Sequence, residues 1–538
     1  MKYSICAILL IIANYFLYPQ TGYYFVTFKD KNFNQYSLNN PIEFLSQRSL
    51  DRRTKQNISI DSLDLPVSKY YVDKVKSLGI NVHFESKWLN GIMVKIEHPY
   101  LLDSLNNLPF VKNITYTRPL NTTISKINKF ENQKDYIYGM ASNQISMLKG
   151  DFLHQNGFDG KNILIAVLDA GFLGTDSIKQ LDSLRNQNRI VLTRDFVDGN
   201  NDTYVYEKHS HGTYVLSTMA IIDNGNYVGT APHAKYALIR TEDGATEYIF
   251  EEYCWVAGAE LADSIGADLI NSSLGYTVFD DPLMNHDWSQ LNGKTSVASR
   301  AATIAARKGI ICTISAGNWG SDTWRKIGVP ADADSVLTVG AVDSQGNYAF
   351  FSSQGYTADG RVKPDVCAQG LGVATATSSG IYSTASGTSF SSPILCGVTA
   401  CLLQAFPTKS NMEIIEAIKK SAHQYLYPDS LLGYGIPNFQ LAYYILTNIG
   451  LNNVDESLFS LSPNPTTDFL NVTFNVPLFS SVQYQIFDTN CKILKEETIL
   501  ISNKKNIIID VSNFKAGIYL LKVVLNEKQF SKIFVKLL

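Results

Sequence analysis

Asp169, His211 and Ser389 are the residue types of a nucleophile relay, and they occur in that order along the chain. An alkoxide nucleophile needs a general base, and the base needs a partner that fixes its tautomer. Asp169 closes the apolar run ILIAVLD and is followed by Ala-Gly-Phe. His211 opens the stretch HGTYVLSTMA, and Ser389 stands in SGTSFSSP, just before the apolar run ILCGVTACLLQAF. Singly, each has a plain structural reading as a turn residue, a loop histidine or a helix N-cap. Together they could carry acyl transfer, with Ser389 as nucleophile, His211 as general base and then acid, and Asp169 orienting the imidazole. A serine at a helix N-terminus also meets the positive end of the helix dipole. Pro393 fits the first turn of that helix, where a missing N–H costs little. Ser386, Ser391 and Ser392 are left with turn and capping roles. His209 competes with His211 but lacks the following Gly-Thr. A His209–His211 metal pair has no third ligand at suitable local spacing, so no metal is assigned.

These side chains can meet only if the elements that carry them do. From about residue 140 to 448, apolar strands (ILIAVLD, YALIRT, ADLINSSLG, GIICTISAGN, SVLTVGAV) alternate with helical stretches such as VAGAELADSIG and VASRAATIAARKG. Continuous apolar strands separated by helices predict a mostly parallel sheet covered on both faces. Asp169 then lies at the carboxyl end of a strand, where such sheets place their sites. Residues 22–118 read instead as β-α-β-β-α-β, a split βαβ or ferredoxin-like α+β unit, with a polar insertion at 45–66 after the first strand. Residues 119–139 are polar and read as an exposed linker, where proteolysis concentrates. The tail, 455–538, has six short alternating strands after SPNP and reads as a small all-β sandwich.

The motifs resemble those of the subtilases, the subtilisin-like serine peptidases. VLDAGF, HGTYV and GTSFSSP look like the three active-site signatures, and GTAPHAKYALIR, INSSLG, ISAGN, GAVDSQGNYAFFSSQG and GRVKPDVCAQG match intervening motifs in order. The resemblance implies a secreted serine endopeptidase made as a zymogen. It gives Asp169, His211 and Ser389 the triad roles, makes Asn318 the oxyanion-hole amide, and gives Ser273, Leu274 and Gly275 the strand that pairs with bound polypeptide. Ala170 stands where Thr or Ser often follows the aspartate. Tyr214, Phe390 and Ser391 are further departures, and Tyr276 is expected to narrow one side of the cleft. The first unit resembles the family's propeptide, an intramolecular inhibitor cleaved off in or near the linker. The tail resembles the sorting domain read by the type IX secretion machinery.

Composition sets the outer limits. The chain has 538 residues, 45% of them hydrophobic, and a net charge of −3, with no dense basic run, which argues against a nucleic-acid partner. Residues 1–21 hold one Lys and a short apolar core and read as a signal peptide, a signal anchor being the alternative. The remaining six cysteines fit neither a zinc site nor a disulfide framework. No cofactor is needed for the chemistry. Structural calcium is left unassigned, with Asp280 and Asp281 a weak candidate against a solvated turn. Two other functions stay open: a silent peptidase scaffold used for surface binding or adhesion, and an esterase, although Gly-x-Ser-x-Gly is absent around Ser389.

Overall fold

The computed structural model describes residues 21–120, 132–133, 139–199, 202–447 and, with short gaps, 459–537. The expected signal segment and most of the linker lie outside the described residues.

Seven parallel strands form the central sheet, in the order Val366–Gln369, Leu337–Val342, Ile311–Ser315, Leu269–Ser272, Leu164–Asp169, Lys235–Arg240 and Ile190–Asp195. Every residue of Leu164–Asp169 is buried, as expected for a strand covered on both faces. One face carries the helices His211–Ala220 and Thr388–Ala405, whose side chains share a core with Ile165, Val167 and Val339. Phe250–Ile265 and Val297–Arg307 cover the other face, around Leu168, Ile239 and Ile270. Thr388–Ala405 has the length and hydropathy of a membrane span, but it is the buried central helix, and its apolar surface faces protein all round.

The first unit is a four-stranded antiparallel sheet, ordered Asn81–Ser86, Gly91–Ile96, Gly22–Phe28, Val111–Arg118, with helices Lys69–Lys76 and Tyr100–Asn106. Its outer sheet face has lost its independence: Phe25, Phe84, Trp88 and Met93 are buried in one cluster with Tyr253, Trp255, Ala298 and Ala302 of the larger domain's helices. The polar insertion folds as the helix Gln47–Lys55, N-capped by Ser46. Its arginines face the larger domain. Arg52 and Arg53 pair with Asp263 at 2.5 and 2.9 Å, Arg53 also reaches Asp64 at 2.6 Å, and Lys308 binds Asp64 at 2.9 Å. Beside them Glu260 accepts from the Ser86 hydroxyl and from the N–H groups of Lys87 and Trp88, at 2.6, 2.8 and 3.0 Å.

Three strands (Phe459–Ser462, Phe469–Leu478, Lys504–Asp510) and four strands (Ile493–Leu500, Ser481–Phe487, Gly517–Leu525, Lys528–Lys536) make the C-terminal sandwich, one strand more than expected. Val472, Phe474, Tyr484, Leu521 and Phe534 fill its core. Cys254, Cys312, Cys367, Cys396 and Cys401 are buried and unbridged; Cys491 lies outside the described residues.

Candidate active site

Asp169 ends its strand fully buried, with Oδ1 accepting the Ala170 N–H at 2.8 Å and lying 2.8 Å from His211 Nδ1. An ionised carboxylate only accepts, so Nδ1 carries the proton there, and in the neutral ring Nε2 keeps the lone pair. The two loops that meet here are held backbone to backbone. Gly212 N–H donates to Gly171 O at 2.9 Å, and a Cβ on Gly212 would come within 2.4 Å of that oxygen. A Cβ on Gly171 would likewise sit 2.7 Å from His209 N. Those two glycines set the Asp169–His211 distance. His209 has a different place from His211: its Nδ1 accepts the His211 backbone N–H at 3.1 Å and so caps the helix start.

Ser389 is the second residue of Thr388–Ala405, where a backbone N–H has no acceptor within the helix. Its hydroxyl donates to Ser273 O at 3.3 Å, and the neighbouring Phe390 ring lies 5.9 Å from the His211 ring. Pro393 is not in the first turn as expected; it is the sixth helical residue. Lacking an N–H, Pro393 leaves the carbonyl of Ser389, four residues back, without its helical donor. The Ser273 hydroxyl donates to that carbonyl at 2.8 Å instead. Ser273 is in turn held by Asn271 Nδ2 at 3.1 Å, and Asn271 Oδ1 by the Ser392 hydroxyl at 2.9 Å. Ser391 donates to Thr388 O at 3.0 Å, and the Ser386 hydroxyl accepts the Gly372 N–H at 3.1 Å.

Asn318 follows the strand Ile311–Ser315 and is exposed to the cleft. Its Oδ1 accepts both the backbone N–H and the hydroxyl of Thr388, at 2.8 and 2.9 Å. Thr388 Oγ1 also accepts the Gly317 N–H at 3.1 Å. With the oxygen end anchored, the Nδ2 donors are the free end of the amide. Thr388, adjacent to the serine, is thus the residue that orients Asn318, a role that sequence reading did not give it.

Ser273, Leu274, Gly275, Asn318 and Ser389 line one cleft of about 430 Å³, together with Trp319 and Trp324. Gly275 lets Trp319 approach: a Cβ there would be 3.3 Å from the indole. Tyr276 does not narrow this cleft. Its side chain is fully buried in the core beside Phe279, because its backbone is tied to Val329 by hydrogen bonds of 2.8 and 3.0 Å that turn the ring inward. Asp280 accepts the Glu247 N–H at 3.1 Å and Asp281 caps Leu283 at 3.0 Å, so both are engaged in turns.

Residues 160–435 match the subtilase family model, 23–134 the S8 peptidase propeptide domain of Bacteroidota, and 460–536 a secretion system C-terminal sorting domain. Subtilisin DY of Bacillus licheniformis is 30% identical over 280 residues, covering 52% of this chain and 90% of that protein. Subtilisin E of Bacillus subtilis is 31% identical over 303 residues, covering 55% of this chain and 70% of that protein. The epidermin leader peptide processing serine protease of Staphylococcus aureus shares the fold, with a TM-score of 0.53 at 19% identity over 80% of this chain and all of that one. The matched stretch holds Asp169, His211 and Ser389 together, and its lineage is settled by it: the chain belongs to the subtilase family, as a secreted or cell-surface serine peptidase made with a propeptide.

Proposed function

We propose that the enzyme is an endopeptidase that works through an acyl-enzyme on Ser389. His211 Nε2 takes the hydroxyl proton as Oγ bonds to the scissile carbonyl carbon. The charge on the carbonyl oxygen is met by Asn318 Nδ2 and the Ser389 N–H. His211 then protonates the leaving amine as the C–N bond breaks, and water repeats the sequence to release the acid. The observation that carries this reading is the 2.8 Å contact of His211 Nδ1 with buried Asp169, in a subtilase chain whose Asn318 amide is anchored at its oxygen end.

The same reading makes the chain a zymogen. The 22–118 unit sits on the peptidase helices through a shared core and buried ion pairs, as an intramolecular inhibitor would. We place the processing region in 119–139. Asn132–Gln133, within it, pairs antiparallel with Thr384–Ala385, the strand that leads to Ser386. Export would be read from the 455–538 sandwich by the type IX machinery.

The test is maturation in cis. The Ser389→Ala protein should accumulate uncut at 119–139 and leave casein intact, while added wild-type enzyme trims it. A Ser389→Ala protein that matures alone and cleaves casein would exclude this mechanism.

A further inference from the structure

The strands Leu269–Ser272 and Ile311–Ser315 are neighbours in the sheet, and their last pairing joins Ser272 to Ile314. Past their carboxyl ends the chain continues as Ser273–Gly275 and Ala316–Asn318. A third segment, Gly328–Val329, is bonded to both continuations. The Gly328 N–H donates to Ala316 O at 3.3 Å, and Val329 and Tyr276 exchange bonds of 2.8 and 3.0 Å. The three segments enclose one hollow, and each brings a glycine to it.

All three glycines meet the same side chain. A Cβ on Gly328 would come within 2.6 Å of the Trp319 indole and one on Gly275 within 3.3 Å, and a Cβ on Gly317 would overlap the ring. Three walls without side chains leave room for a large group, and here the chain's own indole takes it. The backbone that aims the ring is pinned on both sides. The Trp319 N–H donates to the buried Ser353 hydroxyl at 3.1 Å, the Gly320 N–H to Phe351 O at 2.8 Å, and the Ser353 N–H to Gly317 O at 2.9 Å.

The hollow adjoins the reacting atoms. Trp319 follows Asn318, Ser273 O lies 3.3 Å from Ser389 Oγ, and all four residues line one cleft. The leaving amine must depart beside His211, which protonates it, and His211 is not among the residues that line this cleft. The cleft is therefore on the side of the residue that supplies the scissile carbonyl. With that carbonyl carbon on Ser389 Oγ and its oxygen turned to Asn318 Nδ2, the side chain one bond further on points at the space the indole occupies.

We propose that Trp319 fills the subsite for the side chain just before the cleaved bond and so directs cleavage to follow glycine, alanine or serine. This selectivity rests on the reading of Ser389 as nucleophile and Asn318 as oxyanion donor. A bulky side chain there would have to displace a ring packed on three stretches of backbone, and that cost is taken from transition-state binding.

The experiment uses mature enzyme and quenched-fluorescence peptides that differ only in the residue before the cut, Gly, Ala, Leu or Phe, with the cut located by mass spectrometry. The Ala peptide should exceed the Phe peptide about 10-fold or more in kcat/KM. Trp319→Ala should reverse that order, and Trp319→Phe, with a smaller ring, should fall between, both still reacting with a fluorophosphonate. Trp319→Phe alone carries the test if Trp319→Ala does not fold. Wild-type enzyme that cleaves after Leu and Phe as fast as after Ala overturns the inference. So does an Ala preference unmoved in every variant that still reacts with the fluorophosphonate. A Phe preference in the wild type that is lost in Trp319→Ala overturns it in favour of the indole as a stacking wall. Wild-type enzyme that neither cleaves the series nor reacts with the fluorophosphonate overturns the Ser389 reading on which it rests.

Discussion

The Ser389 site and the seam between propeptide and peptidase are both buried, yet they are built from opposite materials. Around Ser389 the contacts are mostly neutral: Ser273, Asn271, Ser392, Thr388 and Asn318 exchange hydrogen bonds, and Gly171 and Gly212 let backbones touch. The seam sets Arg52, Arg53, Lys87 and Lys308 against Asp64, Glu260 and Asp263. Neutral hydrogen bonds and close-packed glycines hold one geometry. Buried ion pairs add little net stability over the hydrated, separated charges, so they lock the seam less than its shared apolar cluster does, and that part of it can open at small cost. The site is fit to persist and the seam is fit to separate.

The largest expected effect breaks the seam from one side. Asp263→Asn leaves Arg52 and Arg53 short of a buried counter-charge, at a cost of about 3–5 kcal/mol. Urea unfolding of the Ser389→Ala zymogen at pH 7 should show that loss, and an unchanged midpoint would mean that the ion pairs are idle. Next comes the neutral side of the comparison. Asn318→Ala should lower kcat about 100- to 1,000-fold, the usual cost of removing one oxyanion donor. Asn318→Asp keeps an acceptor for Thr388 but loses the donors, so it should fall at least as far. Near-normal kcat in Asn318→Asp would show that the anchor to Thr388, not the amide N–H, is what matters.

A smaller effect is the pH response of the seam. Burial tends to raise the Asp263 pKa, but Lys87, Arg52 and Arg53 outweigh it and hold it below the usual carboxylate range. A lowered pKa contributes stability that is full above the ordinary value, about 4, and is lost as pH falls below it toward the lowered folded value. Glu260 has the opposite sign: burial raises its pKa against Lys87, Ser86 and the N–H groups, so protonating it does not loosen the seam. Release of the cleaved propeptide should therefore begin below about pH 4 and not between 5 and 6, as followed by size-exclusion chromatography. The smallest effect concerns Asp169 Oδ2, which is buried without a hydrogen-bond donor among the described residues. Ala170→Ser could supply one and weaken the carboxylate's pull on the imidazole. kcat/KM should then fall modestly, and a rise would contradict this account of Oδ2.

What could be read from the sequence differs between these regions for a physical reason. Asp169, His211, Ser389 and Asn318 sit at strand ends and helix starts, in short motifs whose glycines record close backbone approach, so local sequence carries their geometry. The alternation of apolar strands and helices was enough for the parallel sheet. Asp263 lies more than 200 residues along the chain from Arg52 and Arg53, and nothing local says that they meet. The insertion helix looked like polar surface because its arginines are buried only by a partner element. The place of Pro393 inside its helix does not show in the local sequence, because its missing N–H is compensated by Ser273, more than 100 residues away. The inward turn of Tyr276 does not show in the local sequence, because the bond to Val329 that sets it is likewise long-range.

The central claim is that Ser389 is made nucleophilic by His211. Mature enzyme treated with a fluorophosphonate, digested and analysed by mass spectrometry should carry the adduct on Ser389, with Ser386, Ser391 and Ser392 unmodified, and His211→Ala should abolish labelling. An adduct on another serine, or equal labelling in His211→Ala, would contradict it.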